Sequence, residues 1–464
     1  MENEAASPAS SPPKRRHSDA EVFATSGASW NLESWKNGLR KRMQSFHPRG
    51  LHKGNRLHAR ERILVPPMAL ADMYKLHAER RNPDKQGLSD AELLAIWDGP
   101  GGGWHALGEL PRNGFGCPAG SEEAFNRRGV RLRPTAGEKP EDLLEQCGVC
   151  VHNIKGRKSE TDVTIGQDNY CVALLEGGWE LYGVFDGHGP DGHWPSTRAA
   201  QTMPSFLQTG DCATMMRQGR IDAALIRAFD QVQQDLVYAS WPPSRREPFC
   251  NLPFCGCTGV CMLRHPSKSS VWVAHVGDSR AVLMAPGRGA VRETEDHKPS
   301  VEAERKRIEE CGCEVRNQEF ADGLTEARIF IKGKTYPGIM MTRSLGDLVV
   351  NDKGVIATPE VAEWPLDSCQ GVVMLIASDG VWEFIESSQA SETVLQARER
   401  GQSLRQIASN LVLEAQDLWE IKEPGYCDDI TALLVTLDGP GLRPVRRTGP
   451  SKSETCCASG CALQ

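Results

Sequence analysis

The stretch Tyr182-Gly183-Val184-Phe185-Asp186-Gly187-His188-Gly189 constrains this chain more than any other. An apolar run rich in β-formers, residues 179–185, stops on a carboxylate, two glycines and a histidine. Glycine at a strand end lets backbone approach a ligand that a Cβ would hold away. Asp-Gly is also the commonest turn dipeptide, so the string alone reads first as an ordinary turn. The rest of the chain separates the two readings.

Four more apolar or β-branched runs meet an aspartate beside glycine or a second acid. Residues 271–276 lead to Gly277-Asp278-Ser279-Arg280, and residues 338–342 lead to Arg343-Ser344-Leu345-Gly346-Asp347. Residues 372–377 lead to Ser378-Asp379-Gly380, and Cys427-Asp428-Asp429 opens the run 430–435. Carboxylates at the ends of different strands can converge on one sheet edge, where like charges are tolerable only if cations neutralise them. An oxygen-rich site with few His or Cys ligands suits Mg²⁺ or Mn²⁺ better than zinc or copper. Two such ions can lower the pKa of a shared water and drive in-line attack on phosphorus. The residues by themselves therefore point to a binuclear phosphohydrolase that uses water.

Eight strings carry a resemblance, in order along the chain. They are residues 184–189, Gly256-Cys257-Thr258-Gly259-Val260, residues 276–282, Asp296-His297-Lys298-Pro299, residues 304–309, residues 343–347, Ala377-Ser378-Asp379-Gly380-Val381-Trp382, and Asp428-Asp429-Ile430-Thr431. Together they resemble the metal-dependent Ser/Thr protein phosphatases, the protein phosphatase 2C family, over residues 148–438. The resemblance implies an α+β fold, two packed antiparallel β-sheets flanked by helices, with a largely disordered N-terminal extension. The implied division is an extension at 1–147, a catalytic domain at 148–438 and a basic, Cys-rich tail at 439–464.

By the same resemblance Asp186 bridges two metal ions and Gly187 lends one of them its carbonyl. Asp379 and Asp428 complete the second ion, Asp168 holds a metal-bound water, and Asp278 with Glu383 marks a possible third ion. Asp347 would orient groups around the ligands, and Asp429 stands where asparagine is frequent. His188 is the general acid for the leaving oxygen, since its unperturbed pKa lies near neutrality. The phosphate clamp is Arg157 or Lys158. An insertion near residues 160–165, ahead of Gln167-Asp168-Asn169, leaves that choice open. The expected substrates are phosphoserine and phosphothreonine proteins, the cofactor two Mg²⁺ or Mn²⁺ ions, and the enzyme a monomer.

Local patterns fill in the remainder. Residues 170–175 and 179–185 read as a hairpin across Glu176-Gly177-Gly178. Helices are expected within 195–207, 221–237 and 301–311, the last with a Glu302–Lys306 pair. Ser403 can cap a helix with Leu404, Ile407, Ala408, Leu411, Ala415 and Leu418 on its apolar face. A further helical pattern runs through 68–97, and Gly-rich 99–120 reads as linker. Cys147 and Cys150 read as ordinary thiols, and Cys257 and Cys261 as small core residues.

Charge is uneven. The chain has 464 residues and a net charge of -7, yet residues 36–62 carry nine Lys/Arg against the single acid Glu61. That segment suits anionic lipid, nucleic acid or an acidic partner, and reads equally as a solvated basic tail; for the protein as a whole a nucleic-acid partner is not expected. Arg15-Arg16-His17-Ser18 offers Ser18 to a basophilic kinase. No apolar N-terminal leader or spanning segment is read, so the expected location is cytoplasmic. At the other end Cys461-Ala462-Leu463-Gln464 forms a prenylation box. Cys456, Cys457 and the nearby arginines would supply the second signal that one prenyl chain needs to hold a membrane surface. The rival reading is a pseudophosphatase that binds phosphoproteins without turnover; Asp186, Asp379 and Asp428, whose loss would favour it, are all present. The other metallophosphatase class is excluded, since neither Gly-Asp-x-His-Gly nor Gly-Asn-His-Glu occurs.

Overall fold

Alternation along the strands builds the architecture. In the strand Asn169–Leu174, Val172 and Leu174 face one apolar core while Cys171 and Ala173 face another. Side chains with a period of two, buried on both faces, require a layer on each side. The computed structural model supplies both, and describes residues 66, 68–82, 87–89, 92, 105–107, 140–158, 162, 164–241, 246, 248–319, 325–366 and 371–442. Ser18, the basic 36–62 segment and Cys456, Cys457 and Cys461 lie outside the described residues.

The strands in chain order are β1 His105–Leu107, β2 Val149–Ile154, β3 Asn169–Leu174, β4 Glu180–Phe185, β5 Gly187–His188, β6 Gly256–Cys257, β7 Gly259–Arg264, β8 Ser270–Val276 and β9 Arg280–Ala285. They continue as β10 Gly289–Glu293, β11 Cys313–Glu319, β12 Thr325–Ile331, β13 Pro337–Ile339, β14 Leu345–Gly346, β15 Glu360–Pro365, β16 Val373–Ala377 and β17 Ile430–Thr436. One sheet runs β1-β3-β4-β7-β8-β15 and the other β10-β9-β16-β17-β2, with antiparallel neighbours throughout. Tyr182, Val184, Met262 and Val273 from the first sheet meet Leu283, Met374, Ile376 and Leu433 from the second. This is the expected pair of packed antiparallel sheets.

Helices cover the outer faces. α1 Leu70–Arg80 and α2 Pro140–Gln146 come first; α3 His193–Leu207, α4 Gly210–Arg217 and α5 Ile221–Ser240 then pack on the first sheet. α6 Glu302–Glu310 follows, and α7 Asp379–Trp382, α8 Ser387–Glu399 and α9 Leu404–Lys422 cover the second sheet. Ser403 caps α9 reciprocally with Gln406, as a capping box, and all six expected apolar positions are buried. In α6, Lys306 reaches forward to Glu310 (3.9 Å), while Arg307 turns back to Glu304 (2.6 Å); the expected Glu302–Lys306 pairing is replaced by these. Cys257 and Cys261 are buried in the core, and Cys147 and Cys150 are buried as well.

Ahead of residue 148 one feature departs from the sequence reading and another bears it out in part. Within the expected linker, β1 adds an edge strand to β3, because its backbone meets the open ladder there. Of the helical pattern at 68–97, α1 docks by Met73 and His77, while Leu70 is half exposed. His77 stands edge-on to Trp241, and Arg80 pairs with Asp352 at 2.6 Å. Further along, Leu88 N–H donates to Asp235 Oδ1 (2.7 Å), the carboxylate that also holds Arg198.

Candidate metal centre

The pairing registers bring the acidic strand ends to one place. β3 begins where β4 ends (Asn169 opposite Phe185), which puts Asp168 beside Asp186. β16 ends where β17 begins (Ala377 opposite Ala432), which puts Asp379 beside Asp428. Asp186 follows β4, and its carbonyl accepts from Thr258 N–H (2.8 Å) while its own N–H donates to Thr258 Oγ1 (3.1 Å). Asp278 follows β8, next to the start of β7 (Val276 opposite Gly259).

These carboxylates feel one another. The pKa of Asp186 is driven well above the usual range by burial, then by the charges of Asp168, Asp379 and Asp428, and it hydrogen-bonds Asp379. Asp379 is raised likewise by burial and by Asp428 and Asp278. Burial and the charge of Asp429 lift Asp168 to about 7. A buried Asp168 Oδ2 accepts from Ser378 Oγ (2.6 Å) and Thr431 Oγ1 (2.7 Å), yet Oδ1 has no protein partner. Asp379 Oδ1 and Asp278 Oδ1 are equally without partners. Three orphaned buried oxygens among crowded carboxylates fit hard divalent cations. A Cβ on Gly187 would stand 2.2 Å from the Gly192 carbonyl oxygen, so only glycine fits this turn.

The two clamp candidates diverge. Arg157 and Cys427 form an isolated antiparallel bridge, and the Arg157 side chain leaves the pocket for Glu420 (2.8 Å) at the surface. Lys158 instead pairs with Asp428, and its Nζ lies 3.2 Å from Tyr426 Oη. Within the insertion, Asp162 accepts from Lys155 Nζ (2.7 Å) and from Lys158 N–H (2.8 Å). Asp429, which by the resemblance stands where asparagine is frequent, clasps the two ends of this insertion. Its Oδ1 accepts from Gly156 N–H (2.6 Å) and its Oδ2 from Gln167 N–H (2.5 Å).

His188 and Asp347 form a second unit of the site. His188 Nε2 is 2.7 Å from Asp347 Oδ2, and Nδ1 is buried without a protein partner. Burial lowers the His188 pKa, but the Asp347 carboxylate more than offsets this, so the net shift is upward. Gly256 makes the pairing sterically possible: a Cβ there would stand 2.4 Å from Asp347 Oδ2. Asp278 faces a cation of the chain itself, with Lys298 Nζ 3.9 Å from Oδ2 and 3.4 Å from Asp296.

Among the described residues, two further groups could each offer three ligand atoms to a metal ion. His275, His297 and Glu360 form one. There His275 and His297 stack at 4.3 Å, and Gly277 N–H donates to His297 Nδ1 (3.2 Å). That bond uses the Nδ1 lone pair and leaves the proton on Nε2, the wrong tautomer for a ligand. The second group, Asp191 with Cys250 and Cys255, has no such conflict. Sequence reading missed it by considering only the closer Cys147/Cys150 spacing.

The family model of Protein phosphatase 2C matches residues 148–418, more than half of the chain. The chain is similar to the probable protein phosphatase 2C 64 of Oryza sativa subsp. japonica, with 34% identity over 302 residues; the match covers 62% of this chain and 65% of that protein, just under two thirds of its length. It is similar also to the probable protein phosphatase 2C 48 of the same organism, with 32% identity over 305 residues, 60% of this chain and 81% of that one. A solved serine-threonine phosphatase 2C from Toxoplasma gondii has a TM-score of 0.47 and 22% identity, covering 62% of this chain and 94% of that one. By the match of the family model over most of its two-sheet core, this chain belongs to the protein phosphatase 2C family.

Proposed function

We propose that the chain hydrolyses phosphoserine and phosphothreonine in proteins. Asp186, the Gly187 carbonyl, Asp379 and Asp428 would hold two divalent cations. The observation that carries this reading is the convergence of buried carboxylates from separate strand ends on oxygens without protein partners, and the upward shift of Asp186 and Asp379, from burial and then from neighbouring carboxylates, supports it. When bound, two Mg²⁺ or Mn²⁺ ions supply that charge and the acidity that lets water attack phosphorus at neutral pH.

The chain's own residues do the rest. Asp168, fixed through Oδ2 by Ser378 and Thr431, offers Oδ1 to orient the attacking water. Lys158 holds the phosphate oxygens; its place beside Asp428 supports it over Arg157, whose guanidinium is engaged at the surface. His188, held at Nε2 by Asp347, passes a proton from Nδ1 to the departing serine or threonine oxygen. Asp278 shares its neighbourhood with Lys298, so a third ion there would compete with that ammonium. No helix among the described residues is long and apolar enough to cross a membrane. We propose attachment through the Cys461 box with Cys456 and Cys457; Cys461→Ser should then leave the membrane fraction, and unchanged fractionation would refute it.

The test is hydrolysis of a phosphothreonine peptide with Mn²⁺, with Mg²⁺ and with chelator, alongside Asp379→Asn. Metal-dependent turnover lost in the variant is expected. A folded, metal-loaded protein without turnover would favour the phosphoprotein-binding pseudophosphatase.

A further inference from the structure

Behind the His188 loop lies a cluster that the proposed reaction does not use. Asp191 follows β5 in the turn leading into α3, and Cys250 and Cys255 flank the short helical turn Leu252–Phe254. One ligand atom from each lies within 4.8 Å of the other two. Both cysteines are free and buried, and Asp191 is half-buried. Asp191 N–H donates to Cys255 Sγ (3.2 Å), Asn251 N–H donates to Asp191 Oδ2 (2.9 Å), and Cys250 Sγ lies 3.9 Å from the Asp191 carbonyl oxygen.

We propose that Asp191, Cys250 and Cys255 bind one Zn²⁺, separate from the oxygen-lined centre. Cys250-Asn251-Leu252-Pro253-Phe254-Cys255 places four residues between the thiols, within the spacing of zinc-binding cysteine pairs. Ligands on one tetrahedral ion with bonds of about 2.3 Å stand roughly 3.8 Å apart, so atoms already within the observed limit need only small shifts. Two soft thiolates with one carboxylate select zinc over magnesium. The N–H donors at Cys255 Sγ and Asp191 Oδ2 are outer partners of the kind that orient metal ligands. The thiols release their protons to solvent as the ion binds, and a water fills the fourth corner on the side of half-buried Asp191.

A disulfide between the same cysteines is the competing chemistry. It would leave Asp191 without a role, and burial, with Cys255 and Asp191 beside it, raises the Cys250 thiol pKa and so discourages the thiolate that oxidation needs. A dication turns the same carboxylate into an asset. The consequence reaches the proposed active site without depending on that proposal. Cys255 carbonyl accepts from Asp347 N–H (2.9 Å), and Asp347 holds His188. An ion at this cluster would therefore staple the loop that carries His188 to the segment whose Cys255 carbonyl holds the Asp347 backbone.

The experiment uses the full chain, reduced and stripped with chelator, then titrated with Co²⁺ or Zn²⁺ under excess Mg²⁺ that occupies oxygen sites. The expected result is one Zn²⁺ per chain and a thiolate-to-cobalt charge-transfer band, both lost in Cys250→Ser and in Cys255→Ser. Asp191→Asn, which removes only a charge, should weaken zinc about tenfold or more and keeps the test valid if the cysteine variants fail to fold. No cobalt band in protein whose two thiols titrate as free, a band unchanged in Cys255→Ser, zinc affinity unchanged in Asp191→Asn, or a Cys250–Cys255 disulfide in the freshly isolated protein would each overturn the proposal. Loss of phosphatase activity alone would not touch it, because the band reports sulfur coordination.

Discussion

Asp347 holds His188 Nε2 at 2.7 Å from a backbone that is itself left-handed, with φ of 47°. Ser344 Oγ donates to the same Asp347 oxygen at 2.5 Å, so the carboxylate is fixed before it fixes the ring. The proposed proton donor is thus positioned from behind and left with a single usable nitrogen. Asp347→Asn should lower kcat about 10- to 100-fold with little change in KM, since the ring loses its charged partner but the phosphate contacts remain. Steady-state kinetics on a phosphothreonine peptide checks this; a KM effect without a kcat effect would contradict it.

The two basic neighbours ahead of the insertion should separate cleanly. Lys158→Ala is expected to lower kcat/KM about 100-fold, the scale of a lost charge-assisted contact to phosphate. Arg157→Ala, which disturbs only a surface pair with Glu420, should stay within about twofold. Parallel kcat/KM values decide it, and the reverse order would reassign the clamp to Arg157.

How much of this was legible beforehand follows from where the information sits. Asp186, Asp278, Asp379 and Asp428 each end or open an apolar run, so strand period and punctuation expose them. Arg157 and Lys158 could not be told apart, because adjacent residues point to opposite sides of a bridge whose register depends on Cys427. The clasp made by Asp429 joins Gly156 and Gln167 from across the chain, and no local pattern encodes such a partner. β1 was hidden for a related reason: three residues inside a glycine-rich stretch become a strand only when β3 offers an edge. Cys250 and Cys255 gain meaning only once Asp191 is seen beside them.

Asp429→Ala should destabilise the protein by about 2–4 kcal/mol, since it strands two backbone N–H groups at once. Asp429→Asn keeps one acceptor but turns an NH2 donor onto the other N–H, so it should recover only part of that loss. Chemical denaturation of the metal-free protein measures both. Equal stability in all three proteins would show that the clasp carries no weight.

Docking of α1 should weaken in acid. Burial lowers the His77 pKa from 6.5 to about 4, so the docked ring stays neutral where the released ring would be charged. The contribution is complete above pH 6.5 and is lost as pH falls from 6.5 towards 4, by up to about 3 kcal/mol. Hydrogen exchange of the α1 amides across that window reads the effect. His77→Leu should abolish the pH dependence, and a dependence retained in that variant would place its source elsewhere.

The central claim is that the buried carboxylates are arranged for divalent cations, and calorimetric titration of Mn²⁺ into chelator-stripped protein tests it most directly. Two ions should bind to the wild-type chain and raise its thermal midpoint. Asp379→Asn should bind at least one ion fewer, while its metal-free form becomes more stable by about 1–3 kcal/mol through relief of like-charge repulsion. Unchanged stoichiometry in the variant, or a metal-free variant less stable than the metal-free wild type, would contradict the account.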